Sequence, residues 1–170
     1  NSKDNTADNN SIEENVQSDN TIKEEPKVPT SFEAFGKSYT SSKDINSIEK
    51  STNVYDDQTS IYYTAGEYKE IDFINDLLYS YLNEDNSIYT YLISYSNTNE
   101  KGYEPISESD KEKLKKDLSS LRSQMDLANG EEMVVRLDRV TYEGLDPNTN
   151  SGHSFKIRVA ISRVGATIVP

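Results

Sequence analysis

The chain has 170 residues, a net charge of −12 and a hydrophobic fraction of 33%, below the roughly 45 to 50% apolar content of ordinary globular domains. Its acidic balance argues against nucleic-acid binding, because phosphates require a basic surface. Cysteine is absent, which excludes disulfides, thiolate metal sites and a cysteine nucleophile. No stretch approaches the roughly 20 consecutive apolar residues of a membrane-spanning helix.

The shortage of apolar residues is concentrated in the first 30 positions. Only five scattered apolar residues occur there: Ala7, Ile12, Val16, Ile22 and Val28. Such a segment buries too little surface to offset the roughly 1 to 2 kcal/mol per residue that ordering a backbone costs. We therefore predict a disordered acidic tether over residues 1–29 and a single domain over residues 30–170.

The composition of the first ten residues, NSKDNTADNN, resembles a known type of tether. It is similar to the polar segment that follows the lipidated cysteine of bacterial surface lipoproteins, particularly Gram-positive ones. The lipobox itself is not in this sequence, and a trimmed piece of another exported or cytosolic protein is the alternative. The resemblance implies an extracytoplasmic location at the cell surface, with membrane attachment only through a lipid anchor ahead of Asn1.

The segments before the first long helix give weaker patterns. Thr30 and Glu33 have capping-box spacing and predict a short helix carrying Phe32, Phe35 and Tyr39. The stretch 41–50 fits a helical turn or a loop equally well. The β-branched and aromatic runs 53–55 and 59–64 predict a hairpin around the two aspartates 56 and 57.

Two amphipathic helices are predicted next. Thr64 and Glu67 match a capping box ahead of a wide apolar stripe formed by Ile71, Ile74, Leu77, Leu78, Tyr81 and Leu82. The stretch 87–96 fits a strand and a helix equally well. A second helix is predicted to open over 107–110, with Ser109 and Glu112 as its capping box and Asn129-Gly130 as its stop. Its narrow stripe consists of Leu114, Leu118, Leu121 and Met125.

The stretch 131–163 predicts an antiparallel hairpin. Phe155, Ile157, Val159 and Ile161 alternate with polar or small residues, as Met133, Val135 and Leu137 do in the preceding run. Val140 and Tyr142 have the opposite parity, so the first strand carries a bulge, twists sharply or is apolar on both faces. A short last strand is predicted over 166–169.

The fold class predicted from these elements is α+β, with two or three helices packed on a small antiparallel sheet that ends in a C-terminal hairpin. Helices followed by a long final hairpin are compatible with a cystatin-like or an NTF2-like fold. This comparison rests on element order alone.

No pattern in the sequence carries a reaction. His153 is the only histidine and lies beside the hairpin turn. Asp146, Asn148 and Asn150 have the spacing of calcium ligands, but Ile157 stands where a closing acidic residue is required. The sequence therefore predicts no catalytic residues, no metal and no cofactor.

Two groups of residues are candidates for binding. If the apolar residues of the hairpin face the core, Arg136, Lys156 and Arg158 point outward together, in reach of an anionic partner. The second group is aromatic, because ten of the 12 tyrosines fall between Tyr55 and Tyr103. Core packing is one use of these tyrosines, and a recognition surface is the other. The tyrosines chosen for such a surface are Tyr62, Tyr63, Tyr89 and Tyr91.

These features favour a non-enzymatic binding module outside the cytoplasm, with a protein, a peptide or a cell-wall polymer as its partner. One alternative is an immunity or scaffold lipoprotein that captures a cationic peptide or protein through the acidic residues 1–110. Another is a hydrolase of cell-envelope polymers. No nucleic-acid partner is expected.

Overall fold

A three-stranded antiparallel sheet with a helix against one face forms the centre of the computed structural model, which describes residues 31–95, 103–146 and 152–165. The described strands are β1 (Ser31–Ala34), β2 (Lys37–Thr40), β3 (Thr52–Asp56), β4 (Ile93–Tyr95), β5 (Tyr103–Pro105), β6 (Met133–Leu145) and β7 (His153–Arg163). The described α-helices are α1 (Lys69–Leu82) and α2 (Glu108–Gln124), and single 3₁₀-helices cover Ile45–Ser47, Asp57–Thr59 and Asn86–Tyr91.

The predicted C-terminal hairpin is present as β6 and β7, and β3 pairs with the other side of β6. The pairing skips Asp138 and Glu143 of β6, whereas β7 runs on without a gap. The unpaired Asp138 shifts the alternation of inward and outward side chains along β6 by one residue. Leu137 and Val140 therefore both face inward and are buried. A bulge is therefore the correct choice among the three explanations for the parity change.

The inner face of this sheet and α1 enclose the main core. Its buried residues are Ile45, Tyr55, Tyr68, Ile71, Leu137, Val140 and Tyr142, with Leu78, Phe155 and Ile157 packed around them. A second buried group, Leu82, Leu118 and Met133, joins α2 to the end of α1. Most residues of the two predicted apolar stripes thus belong to these buried groups or pack against them. Burying a side chain of this size contributes about 1.5 to 3 kcal/mol.

The helix predicted to follow Thr30 is wrong, because β1 and β2 form a hairpin there. Its two-residue turn places Phe35 and Gly36 at φ of 53° and 69°, the left-handed conformation that a tight hairpin requires. Phe32 and Tyr39 lie opposite each other on the two strands, and their rings stack with 5.1 Å between centroids. Both rings contact Phe73 of α1, so a partner distant in sequence favours the hairpin over the helix.

The hairpin predicted around Asp56 and Asp57 is reduced to a single antiparallel bridge. The first run is the strand β3, but it pairs with β6 instead of with residues 59–64. From the second run only Ile61 forms a bridge, with Asp56. The ambiguous stretch 41–50 contains one 3₁₀ turn, which buries Ile45.

The capping box predicted for α1 does not form. The helix begins at Lys69, and the Glu67 carboxylate instead accepts a hydrogen bond from Lys43 at 2.7 Å. Asp72 in the first turn accepts from the Gly66 amide at 2.9 Å and completes the entry to the helix. The stretch 87–96, which fitted helix and strand equally, contains both, a 3₁₀-helix over Asn86–Tyr91 and then β4.

The second helix opens within the predicted range 107–110, but it ends earlier than its pattern predicts. Ser107, not Ser109, caps α2, and its hydroxyl accepts from the Asp110 amide at 3.1 Å. The helix ends at Gln124, before the predicted stop at Asn129-Gly130, and Asp126 takes a left-handed conformation just after it.

The α+β class is confirmed, with helices on small antiparallel sheets, and the described residues belong to one compact unit. The cystatin-like or NTF2-like comparison stays a prediction. The predicted tether over 1–29, the last strand over 166–169 and the asparagines 148 and 150 lie outside the described residues.

Candidate binding face

The outward side of the central sheet carries four cations on neighbouring strands. Arg136 and Arg139 project from β6, and Lys156 and Arg158 from β7. Arg139 lies directly opposite Arg158, and Lys156 lies opposite Thr141. We call these four residues the cationic face. The three cations chosen from the sequence thus occur together, because Met133, Leu137 and Ile157 fill the other side.

Three of the four cations are paired with aspartates. Arg158 binds Asp57 at 2.8 Å, Arg136 binds Asp138 at 2.7 Å and Arg139 lies 3.2 Å from Asp56. No carboxylate within the described ranges lies within salt-bridge distance of Lys156.

The Asp56–Arg139 pair is the most enclosed part of this face. The Asp56 side chain is only 5% exposed and also accepts from the Gln58 amide at 2.9 Å. The Nε of Arg139 is buried and has no hydrogen-bond partner. A buried donor without a partner costs about 1 to 3 kcal/mol. The pair therefore fixes Arg139 in place at the centre of the face while leaving one of its donors unused.

Tyr62 lies beside the cationic face and is 64% exposed. The hydrogen bond with Asp138, and then the negative charge of that carboxylate, raise the pKa of Arg136. Ile61, the residue before Tyr62, forms a bridge with Asp56 at the edge of this face. The neighbouring Ile61 is 48% exposed, so an aromatic and an aliphatic side chain border the cations.

The other chosen tyrosines lie elsewhere. Tyr63 packs edge-on against Tyr55 in the core and donates its hydroxyl hydrogen to Asp72 at 2.7 Å. Tyr91 packs on Phe35, with ring centroids 4.7 Å apart, and its hydroxyl oxygen accepts from the Phe35 amide. Both side chains hold the fold together, so the structure brings only Tyr62 to the cationic face.

Tyr89 lies in a separate cleft between α2 and the 3₁₀-helix Asn86–Tyr91. The ammonium groups of Lys111 and Lys115 lie 5.9 and 5.5 Å from its ring centroid. The adjoining open cleft has a volume of about 520 Å³ and includes Ile93, which is 59% exposed. Each lysine also has a glutamate neighbour on α2, which reduces the local positive charge.

Sequence reasoning missed Arg139 and the aspartates 56 and 57. Strict alternation along β6 from Arg136 puts residue 139 on the inner face, and only the bulge at Asp138 returns it to the outer face. The parity change at Val140 was the signal that could have identified Arg139. The aspartates reach the face through the pairing of β3 with β6, which no local pattern predicts.

The geometry suits binding by charge and shape. Among the described residues no group of three or more histidines or carboxylates is arranged to hold a metal ion. His153 contacts Tyr142, with 3.0 Å between Nδ1 and the hydroxyl. No helix in the described ranges is both long and apolar enough to cross a membrane.

We compared the chain with known protein families, with curated proteins and with solved structures, and it matches none of them.

Proposed function

We propose that this protein is a non-enzymatic binding module outside the cytoplasm, held at the cell surface by a lipid anchor and bound to a protein or peptide partner through the cationic face. The observation that carries the proposal is the group formed by Arg136, Arg139, Lys156 and Arg158 beside exposed Tyr62, on a chain with a net charge of −12. The acidic, apolar-poor composition of residues 1–29 supports the tether.

The chemistry of the face favours a protein partner over an anionic polymer. Three of its cations are arginines, and arginine and tyrosine are enriched at the centres of protein interfaces. The paired aspartates leave only a small excess of positive charge, which weakens long-range attraction to a uniformly charged polymer. Exposed ion pairs contribute only about 0 to 1 kcal/mol, so a partner carboxylate can replace an aspartate at little cost.

The proposal is tested with labelled peptides of equal length that contain no, three or six glutamates. We expect affinity to rise with the number of glutamates in the parent chain. In the triple variant Arg136→Ser, Lys156→Ser and Arg158→Ser this gain should disappear, because the variant lacks the cations that meet the carboxylates.

The matched control is the triple variant Lys113→Ser, Lys115→Ser and Lys116→Ser, which removes the same charge from exposed positions on α2. It should bind as the parent does. Equal losses in the two variants would show that net charge alone acts, and a parent that binds no peptide would overturn the proposal. Face-dependent binding to phosphatidylglycerol vesicles but not to peptides would replace the protein partner by a membrane.

A further inference from the structure

The strand β7 forms a long open edge of the central sheet. It has 11 residues, about 35 Å of extended chain, and in the described part of the molecule it pairs only with β6. It contains neither proline nor a bulge, two features that usually protect a sheet edge. The opposite edge is different, because β3 has five residues and its end is bridged by Ile61.

The hydrogen bonds at that opposite edge determine which way the β7 backbone points. Asp56 exchanges both of its backbone hydrogen bonds with Ile61, at 2.6 and 3.0 Å, on the side away from β6. In an antiparallel sheet its neighbour Arg139 then directs its backbone groups toward β7, where they meet Arg158. The backbone groups of Ile157 and Val159 therefore point to the open edge.

The charge on β7 indicates what this edge can accept. The strand carries Lys156, Arg158 and Arg163 and no carboxylate, although acidic residues outnumber basic ones 30 to 18 in the whole chain. Lys156 and Arg158 are exposed on the outward face of this edge strand. A strand added beside β7 would place every second side chain next to these cations.

The apolar side of the edge is incompletely covered. Val159 is 37% exposed although it belongs to the inward set, and Ile157 is half-buried. Apolar side chains on the inner side of an added strand would continue the core over both residues. Pairing in this way gives affinity through main-chain hydrogen bonds and specificity through alternate side chains.

We propose, building on the binding function above, that the partner supplies an extended acidic segment that adds to the sheet as a strand beside β7. The segment carries carboxylates at alternate positions, next to Lys156 and Arg158, and apolar residues between them, next to Ile157 and Val159. A second copy of this chain fits less well, because pairing β7 with itself about Arg158 sets like charges opposite each other.

The probe is a labelled peptide in which glutamate alternates with valine, compared with a peptide of the same composition and shuffled order. The alternating peptide should bind more tightly to the parent chain. Two analogues are then N-methylated at every second residue, in complementary registers. The analogue whose methylated amides face β7 should bind at least about tenfold more weakly, because it loses several main-chain hydrogen bonds. The other analogue should bind as the unmethylated peptide does.

The variant Val159→Pro tests the protein side. This substitution removes an amide that points to the open edge and leaves the hydrogen bonds with β6 in place. Peptide binding should therefore weaken. The thermal unfolding midpoint shows that the variant is folded. The matched control is Val159→Thr, which keeps the amide and should bind as the parent does. A proline in the paired strand β6, such as Val134→Pro, would not serve as a control.

The possible outcomes separate the two proposals. If both N-methylated peptides bind like the parent peptide but the serine variant of the cationic face does not, strand addition is overturned and the binding face remains. If neither change affects binding, both proposals fail. Self-association of the parent that is abolished by Val159→Pro in sedimentation equilibrium would make a second copy the occupant and overturn the acidic segment.

Discussion

Arg122 shows how one charged residue connects several parts of the fold. It is 6% exposed on α2, and its guanidinium donates to the carbonyl oxygens of Leu82 at 2.7 Å and of Glu131 at 2.5 Å. Leu82 ends α1, whose last carbonyls lack partners within the helix. Arg122 therefore caps α1 from a neighbouring helix and ties both helices to the segment just before β6.

Replacing Arg122 with Ala should destabilise the protein by about 3 kcal/mol, because it leaves buried carbonyl oxygens without donors. The urea midpoint of unfolding measures this loss. Lys116→Ala, an exposed position on the same helix, is the control and should change little. Equal midpoints for the two variants would show that water replaces the guanidinium without cost.

At the scale of the element, the start of α2 shows why capping patterns mislead when they overlap. Ser107 with Asp110 and Ser109 with Glu112 both have capping-box spacing, and only the first acts as a cap. The chain before Ser107 is held extended, because β5 pairs with β4 up to Pro105 and the Ile106 amide donates to Leu92. That pairing fixes the first residue able to begin the helix.

Ser107→Ala should therefore lower the free energy of unfolding by about 1 kcal/mol, the usual cost of losing an N-cap. Ser109→Ala should have almost no effect, because this side chain makes no capping bond and is exposed. Urea denaturation of the two variants side by side gives the comparison. A larger loss for Ser109→Ala would contradict the observed start of the helix.

At the scale of the whole molecule, tyrosine hydroxyls from other segments donate to carboxylates on α1. Tyr39 donates to Asp76 at 2.6 Å, and Tyr63 donates to Asp72 at 2.7 Å. Burial first, and then these negative charges, raise the pKa of both phenols above the ordinary value of 10.0. Burial and the charge of Glu67 raise the pKa of Tyr55 in the same direction.

These shifts predict that stability falls in alkaline solution. Below the unfolded pKa of about 10 both states keep the phenolic protons, and the full stability is present. Above it the unfolded chain loses protons that the folded chain retains, so the free energy of unfolding decreases as the pH rises toward the folded pKa. Urea titrations at a series of pH values measure the decrease, and tyrosinate absorbance follows ionisation.

The double variant Tyr39→Phe and Tyr63→Phe should show a smaller decrease, because phenylalanine carries no proton to lose. Stability that stays constant between about pH 9 and 11 would falsify the shifts, since unfolded tyrosines ionise in that range.

Much of the fold was predictable wherever a local period determines the structure. The alternation in the hairpin and the stripe from Ile71 to Leu82 both correspond to observed elements, and the parity change at Val140 marks the bulge in β6. Period and parity survive folding because a strand or a helix that buries one face has no other way to orient its side chains. The same reasoning placed Arg136, Lys156 and Arg158 together.

The sequence by itself thus determined the α+β class, the main helix, the hairpin and the common direction of its three cations. Only the tertiary structure decided that Phe32 and Tyr39 belong to a hairpin, because their partner Phe73 is distant in sequence. It also decided that Asp57 binds Arg158, 101 residues further along the chain. Such contacts arise when separate elements pack against each other, and no local spacing specifies them.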